Sequence, residues 1–212
     1  MLYDIIATGS KGNAVLFCDK LLIDCGVSFK RLAPYVSKIK LVFITHEHGD
    51  HLNKRTVKKL ASEKPAVRWA CGEWLVDKLI ECGVSSSQID ILNIAKIYDY
   101  GSFKISPIKL YHDVKCFGLR IFEGEEKAIF ITDTATVEGI EAKDYDLYFV
   151  EANYTEPDLR RRIAEKEARG EFVYEYRVPY THLSKEQADD FIYSNIGKNG
   201  QYIYLHEHED RG

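Results

Sequence analysis

The run Thr45-His46-Glu47-His48-Gly49-Asp50-His51 constrains this chain more than any other stretch. It sets four side chains able to bind a metal (His46, His48, Asp50 and His51) within six residues. Just before it, Lys40-Leu41-Val42-Phe43-Ile44 is a short apolar run rich in β-forming side chains, which reads as a buried strand. Just after it, Leu52–Ala61 carries Val57, Leu60 and Ala61 at helical spacing. The histidines therefore fall in the loop where a strand gives way to a helix. Imidazole and carboxylate are ligands that divalent zinc, manganese or iron accept. In an extended stretch His46 and His48 point to one side, while Asp50 and His51 continue round the turn. That arrangement suits two adjacent divalent ions better than one.

The rest of the chain alternates strand-like and helix-like segments. Leu2–Thr8, Ala14–Cys18 and Leu21–Cys25 read as strands, separated by Gly9-Ser10-Lys11-Gly12-Asn13 and by Asp19-Lys20. A short helix is expected at Phe29–Val36, a strand at Val67–Cys71 and an amphipathic helix at Glu73–Cys82, with Leu75, Leu79 and Cys82 on one stripe. A second group of strands follows at Ile89–Ile94, Phe103–Tyr111, Phe117–Phe122, Ala128–Thr132 and Leu147–Val150. Leu159–Arg169 and Lys185–Ser194 read as helices. Two strand groups flanked by helices predict a two-sheet α/β layer fold.

With 212 residues and no repeat, low-complexity tract or linker, the chain reads as one domain, residues 1–212. Its apolar runs are strand-sized, well short of the roughly 20 residues of a membrane span, so no membrane association is expected. Met1–Ala7 lacks a basic n-region and reads as a first strand rather than a signal peptide. Five cysteines (Cys18, Cys25, Cys71, Cys82, Cys116) make an odd count without a CxxC pair, so buried free thiols and a cytoplasmic location are expected.

The HxHxDH run resembles the signature of the metallo-β-lactamase superfamily of metallohydrolases, and the resemblance can be followed over nearly the whole chain. It implies a four-layer αββα sandwich with a two-metal site at one edge. The family order continues with a lone His, matched by His112, then an Asp after a strand, matched by Asp133, then a final His, matched by His206. Each match falls where a β-rich run stops. His208 lies two residues beyond His206 and could point the same way, which leaves the last ligand open between them. The resemblance implies His46, His48 and His112 on one ion, Asp50, His51 and His206 on the other, and Asp133 bridging. The cofactors implied are two divalent ions, zinc foremost, with manganese or iron as alternatives. Such a pair can share a hydroxide and clamp the attacking and leaving oxygens of a displacement.

Finer motifs resemble the YycJ/WalJ-like branch, which is related to ribonuclease Z. Gly9-Ser10-Lys11-Gly12-Asn13-Ala14 is similar to its glycine-rich opening, Glu151-Ala152-Asn153 to its E(S/A)N element, and Tyr180-Thr181-His182-Leu183-Ser184 to its GHLS element. By this resemblance His182 is an auxiliary catalytic acid near the scissile bond, supported by Glu151, and Asp50 is catalytic as well as a ligand. Two departures stand out. Thr181 replaces the glycine before the histidine, and the final HLS..NN element is reduced to His206-Glu207-His208-Glu209-Asp210. The aromatic run Val173–Tyr180 is expected as a loop or hairpin over the site, able to stack bases or to act as a packing ridge.

Net charge is −4, so there is no global basic field of the kind many DNA-binding modules carry. Lys54, Arg55, Lys58 and Lys59 after the histidine run, and Arg160, Arg161 and Arg162 further on, fit phosphate contacts and ordinary solvated helix faces equally well. The motif set favours a phosphodiesterase, a nuclease acting on DNA or RNA through a hydroxide activated by two metals. The enzymatic alternative is a small-molecule hydrolase, either a cyclic phosphodiesterase or a glyoxalase II-like thioesterase. The non-catalytic alternative is a metal-stabilised binding protein.

Overall fold

The computed structural model describes residues 1–206. Twelve strands form two six-stranded sheets, each in unbroken chain order. The first sheet holds β1 (Tyr3–Ala7), β2 (Ala14–Phe17), β3 (Leu21–Ile23), β4 (Leu41–Phe43), β5 (Arg68–Cys71) and β6 (Ile89–Ile91). The second holds β7 (Tyr98–Asp99), β8 (Lys104–Tyr111), β9 (Lys115–Glu123), β10 (Glu126–Ile131), β11 (Leu147–Glu151) and β12 (Gln201–Leu205).

Why the two sheets stack is visible in the alternation of their side chains. Strand side chains point to opposite faces in turn. In the first sheet Phe17, Leu21, Ile23, Leu41 and Phe43 face the second sheet, where they meet Ile105, Leu119, Phe130, Leu147 and Phe149. Their neighbours Leu16, Leu22, Val42 and Trp69 face the other way, against Leu32 of α1 (Phe29–Leu32), Val57 and Leu60 of α2 (Lys54–Glu63) and Leu79 of α3 (Val76–Glu81). In the second sheet Ile129, Ile131, Tyr148 and Val150 turn outward onto Ala188, Phe191 and Ile192 of α5 (Lys185–Asn195). Strands buried on both faces explain the continuous apolar runs, and the result is the expected αββα sandwich. Between the sheets the Phe17 and Phe149 rings meet edge to face at 4.8 Å. Truncating either to Ala would cost about 3–5 kcal/mol.

Several boundaries differ from expectation for local reasons. The helix expected at Phe29–Val36 is α1 plus a 3₁₀ turn at Ala33–Tyr35, where Pro34 cannot donate a backbone hydrogen bond. The one expected at Glu73–Cys82 opens as a 3₁₀ turn, Glu73–Leu75, before α3. The helix expected from Leu159 starts earlier, as α4 (Glu156–Ala168), because the Thr155 side chain caps it and Pro157 occupies its first turn. Tyr174–Tyr180 is neither an open loop nor a hairpin but a 3₁₀ helix.

Strand direction then positions the site. β3, β4, β5 and β6 run parallel, as do β10, β11 and β12, while β8 and β10 both pair antiparallel with β9. The carboxyl ends of β3 and β4 in one sheet, and of β8, β10, β11 and β12 in the other, gather at one edge of the sandwich. A backbone hydrogen bond from Phe117 N to Thr45 O, 3.1 Å, ties the two sheets together at that edge.

Candidate metal centre

Every described candidate ligand lies at one of those strand ends, and the structure brings all seven together. His46, His48, His112 and Asp133 form one group, and Asp50, His51 and His206 a second. Asp133, Glu151, His182 and His206 form a third that overlaps both others. Within each group ligand-capable atoms lie within 4.8 Å of one another. Asp133 joins the first two through different oxygens. Its Oδ2 lies 3.8 Å from His46 Nε2 and 3.8 Å from His112 Nε2. Its Oδ1 lies 3.5 Å from His51 Nε2 and 3.9 Å from His206 Nδ1. Asp50 Oδ2 faces the second group, 3.6 Å from His51 Nε2 and 3.4 Å from His206 Nε2. His206 is the terminal histidine that joins; His208 lies outside the described residues.

The back nitrogens of three imidazoles are held by acceptors, which assigns their tautomers. The Thr45 hydroxyl lies 3.0 Å from both Asp24 oxygens and gives its proton there. His46 Nδ1–H then donates to Thr45 Oγ1 at 3.0 Å. His51 Nδ1–H donates to Asp24 Oδ2 at 2.6 Å, and His112 Nδ1–H to the Thr181 carbonyl at 2.8 Å. In His46 and His112, both lowered by burial, Nε2 is thereby left as a lone pair turned toward the centre. His46 Nε2 is fully buried and has no hydrogen-bond partner among the described residues. Burial first, and His51 beside it second, push the His46 imidazole far below its usual range, so it stays neutral. A bare lone pair facing a carboxylate oxygen across 3.8 Å is repulsive unless a cation lies between them. The donor set therefore fits a divalent metal, and imidazoles oriented from behind by oxygen acceptors are the usual arrangement around one.

The second group is charged differently. Burial alone would lower His51, but Asp133 and then Asp24 outweigh it and hold the imidazole well above its ordinary value. For His206 burial is likewise overcome, by Asp133 and the contact with Asp50, and its value rises to about 10. Asp133 sits well below the usual carboxylate range despite complete burial, because His206 and His51 face it.

His182 belongs to the third group. Its Nδ1 contacts Glu151 Oε1, and this carboxylate raises the imidazole against the opposing effect of burial. Glu151, wholly buried, does three further things. Its Oε2 accepts from Thr134 N at 2.9 Å and from Leu183 N at 3.2 Å, fixing the residues next to Asp133 and His182. Its Oε1 lies 3.5 Å from His206 Nδ1.

Sequence reasoning missed Asp24 altogether and read Asn13 only as part of a turn. Asp24 is buried behind His51 at φ +61°, a left-handed conformation that Asp tolerates better than most residues. An acid closing the apolar run Leu21-Leu22-Ile23 is the same signal that singled out Asp133, and it was available. The Asn13 side chain reaches His51 Nε2 at 2.9 Å and Asp50 Oδ2 at 3.4 Å, while its backbone N–H donates to Asp50 O at 2.7 Å. Gly26 completes the packing: a Cβ there would stand 1.7 Å from the Asp50 carbonyl oxygen, so only glycine lets the ligand loop close.

Among the described residues, four of the seven candidate basic residues make exposed ion pairs. Lys54 pairs with Glu81, Lys59 with Glu63, Arg160 with Glu156, and Arg161 with Asp158 and Glu165.

An αββα sandwich with such a cluster at its strand ends is the architecture of a metallohydrolase. A family model described as the β-lactamase superfamily domain matches residues 19–191, and the chain belongs to that superfamily. The matched span includes His46 to Asp133, Glu151 and His182 and stops short of His206. Among curated relatives, the exodeoxyribonuclease YycJ of Bacillus anthracis is 24% identical over 153 residues, 64% of this chain and 55% of that protein. Ribonuclease Z of Thermosynechococcus vestitus is 28% identical over 138 residues, 56% of this chain and 33% of that protein. The chain thus spans about half of the first relative and a third of the second. Among solved structures, the metallo-β-lactamase-fold protein YhfI of Bacillus subtilis superposes with a TM-score of 0.74 at 16% identity, covering 98% of this chain and 86% of its own. The short form of human tRNase Z gives 0.71 at 17% identity, covering 98% and 92%. Zn(2+)-bound PqqB from Methylobacterium extorquens gives 0.71 at 10% identity, covering 98% and 89%. At these identities the structural matches show the fold alone.

Proposed function

We propose that this protein is a phosphodiesterase of the nuclease type, using two divalent ions to hydrolyse DNA or RNA. The observation that carries the reading is Asp133, whose two oxygens face two separate donor sets. His46, His48 and His112 would hold one ion, Asp50, His51 and His206 the other, with Asp133 shared. Zinc suits the mixture of imidazole and carboxylate, and manganese or iron would also be accepted. When bound, the ions would supply Lewis-acid polarisation of the phosphodiester and an acidified water as nucleophile.

The chain's own residues supply the rest. Asp50 stands at the open side of the second set, partly exposed, where it can orient the attacking water. His182 keeps its Nδ1 on Glu151 and is raised by it, so its remaining N–H is available to protonate the leaving oxygen. The nuclease names of YycJ and ribonuclease Z support nucleic acid as the substrate class. Five free cysteines support a reducing, cytoplasmic location, and among the described residues no helix is long and apolar enough to cross a membrane.

Metal analysis of the purified protein, coupled to assays on single-stranded DNA, RNA and bis-p-nitrophenyl phosphate, tests the proposal. Metal-loaded protein that cleaves at least one of the three supports it. Loaded protein that leaves all three intact but hydrolyses a thioester would replace it with the small-molecule reading.

A further inference from the structure

The segment between α4 and His182 is the most aromatic surface of the molecule and lies directly beside the centre. Phe172 is 83% exposed and Tyr180 is 79% exposed, values unusual for large rings outside a binding surface. Tyr174 and Tyr176 are about half exposed. The 3₁₀ helix that carries them is fastened from below. Its Glu175 is buried and paired with Lys166 of α4 at 2.7 Å, and the Tyr176 hydroxyl contacts Glu167. With the helix anchored through Glu175, Phe172 and Tyr180 keep most of their ring surface exposed.

Position ties this ridge to the chemistry. Tyr180 lies two residues before His182, and the intervening Thr181 carbonyl accepts the Nδ1–H of His112. Tyr111 directly precedes His112 and is 47% exposed, with Lys109 Nζ lying 4.5 Å from its ring centroid. The His112 and His182 rings meet at 5.1 Å. Arg177, on the same 3₁₀ helix, is exposed and pairs with no carboxylate among the described residues. That sets it apart from Arg160 and Arg161 of α4, whose charges are taken up by their own helix.

The geometry points to the Phe172–Tyr180 ridge as a stacking platform for unpaired bases of a single nucleic-acid strand, with Arg177 on its backbone. Every base has a π-face, so such a platform tolerates sequence but requires bases to be present and unpaired. A cation close to the rings adds to the attraction for a polyanion. The inference rests on the nuclease reading above and narrows its substrate to single-stranded segments.

Binding of fluorescein-labelled, phosphorothioate-linked dT12 to the metal-loaded protein, followed by anisotropy, tests it alongside an abasic 12-mer of the same backbone. Tyr180→Ala and Phe172→Ala should each weaken dT12 by about 5- to 100-fold, while Tyr180→Phe keeps wild-type affinity. Neither alanine variant should alter affinity for the abasic strand. Arg177→Gln should weaken both strands alike and reduce the slope of log affinity against log salt by about 0.7. Melting temperature and bound-metal content monitor the fold. Wild-type protein that binds dT12 no tighter than the abasic strand overturns the proposal, as do alanine variants with unchanged dT12 affinity. Wild-type protein that sediments as a dimer and alanine variants that sediment as monomers, with dT12 binding intact, would overturn it in favour of self-association. If stacking is lost as expected but the wild type cleaves no phosphodiester, the platform stands and the nuclease reading falls; the reverse pattern removes the platform alone.

Discussion

The two donor sets that meet on Asp133 are backed by different chemistry. Behind the first set stand neutral acceptors, the Thr45 hydroxyl for His46 and the Thr181 carbonyl for His112. Burial lowers both imidazoles, so neither carries a proton that an incoming cation must displace. Behind the second set stand carboxylates: Asp24 at 2.6 Å from His51 and Glu151 at 3.5 Å from His206, with Asp50 alongside. Asp133 first, and these acids after it, hold His51 and His206 charged when no cation is present. The same acids would make the imidazoles stronger ligands once the protons leave. The first set is thus prepared for metal as it stands, whereas metal at the second competes with protons.

The largest expected effect removes the second set's own carboxylate. Asp50→Ala should take bis-p-nitrophenyl phosphate turnover to background and lose one equivalent of metal while the first ion remains, because Asp50 serves both as ligand and as the group orienting water. Full turnover at matched metal occupancy would break the assignment. Next comes His182→Ala, which should keep both ions and lower the rate by about 10²–10⁴ on substrates with poor leaving groups. The loss should shrink for p-nitrophenolate, which leaves without protonation. A lost metal would make His182 a ligand, and an equal loss on every leaving group would reduce it to a positioning role.

A smaller effect sharpens the contrast between the sets. Asp24→Asn keeps the shape behind His51 but removes the charge, and should weaken the second ion's affinity about 10- to 100-fold and the first ion's less, because Asp24 reaches His46 only through the Thr45 hydroxyl. Equal weakening of both would show that the sets are not backed independently. Smallest is the pH dependence. A group held above its ordinary value binds its proton more tightly, so acid opposes metal and base favours it. Between pH 6 and 8 the second ion's affinity should rise about tenfold per unit for each proton displaced, and the first ion's less steeply. Parallel slopes in a zinc titration would contradict the comparison.

The histidine run was legible because its ligands are adjacent in the chain and follow an apolar strand, and the sheets were legible because strands buried on both faces, such as Leu41 to Phe43 and Ala128 to Ile131, are continuous apolar runs. Glu151 and His182 were legible only through family resemblance. Asn13 was not read, since its work depends on a contact with His51 formed across 38 residues of chain, and Asp24, visible as an acid closing an apolar run, was passed over although it meets His51 across 27. The early start of α4 was written in Thr155-Glu156-Pro157, a cap followed by proline, and was overlooked. The 3₁₀ helix at Tyr174–Tyr180 was hidden because Pro179 and the dense aromatics argue for a loop, while its anchor, the Glu175–Lys166 pair, is tertiary.

Crystallographic metal location by anomalous scattering, on protein loaded with zinc at pH 8, tests the central claim most directly. The account predicts two ions, one among His46, His48 and His112 and one among Asp50, His51 and His206, with an Asp133 oxygen on each. A single ion coordinated without Asp50, His51 or Asp133 would contradict it.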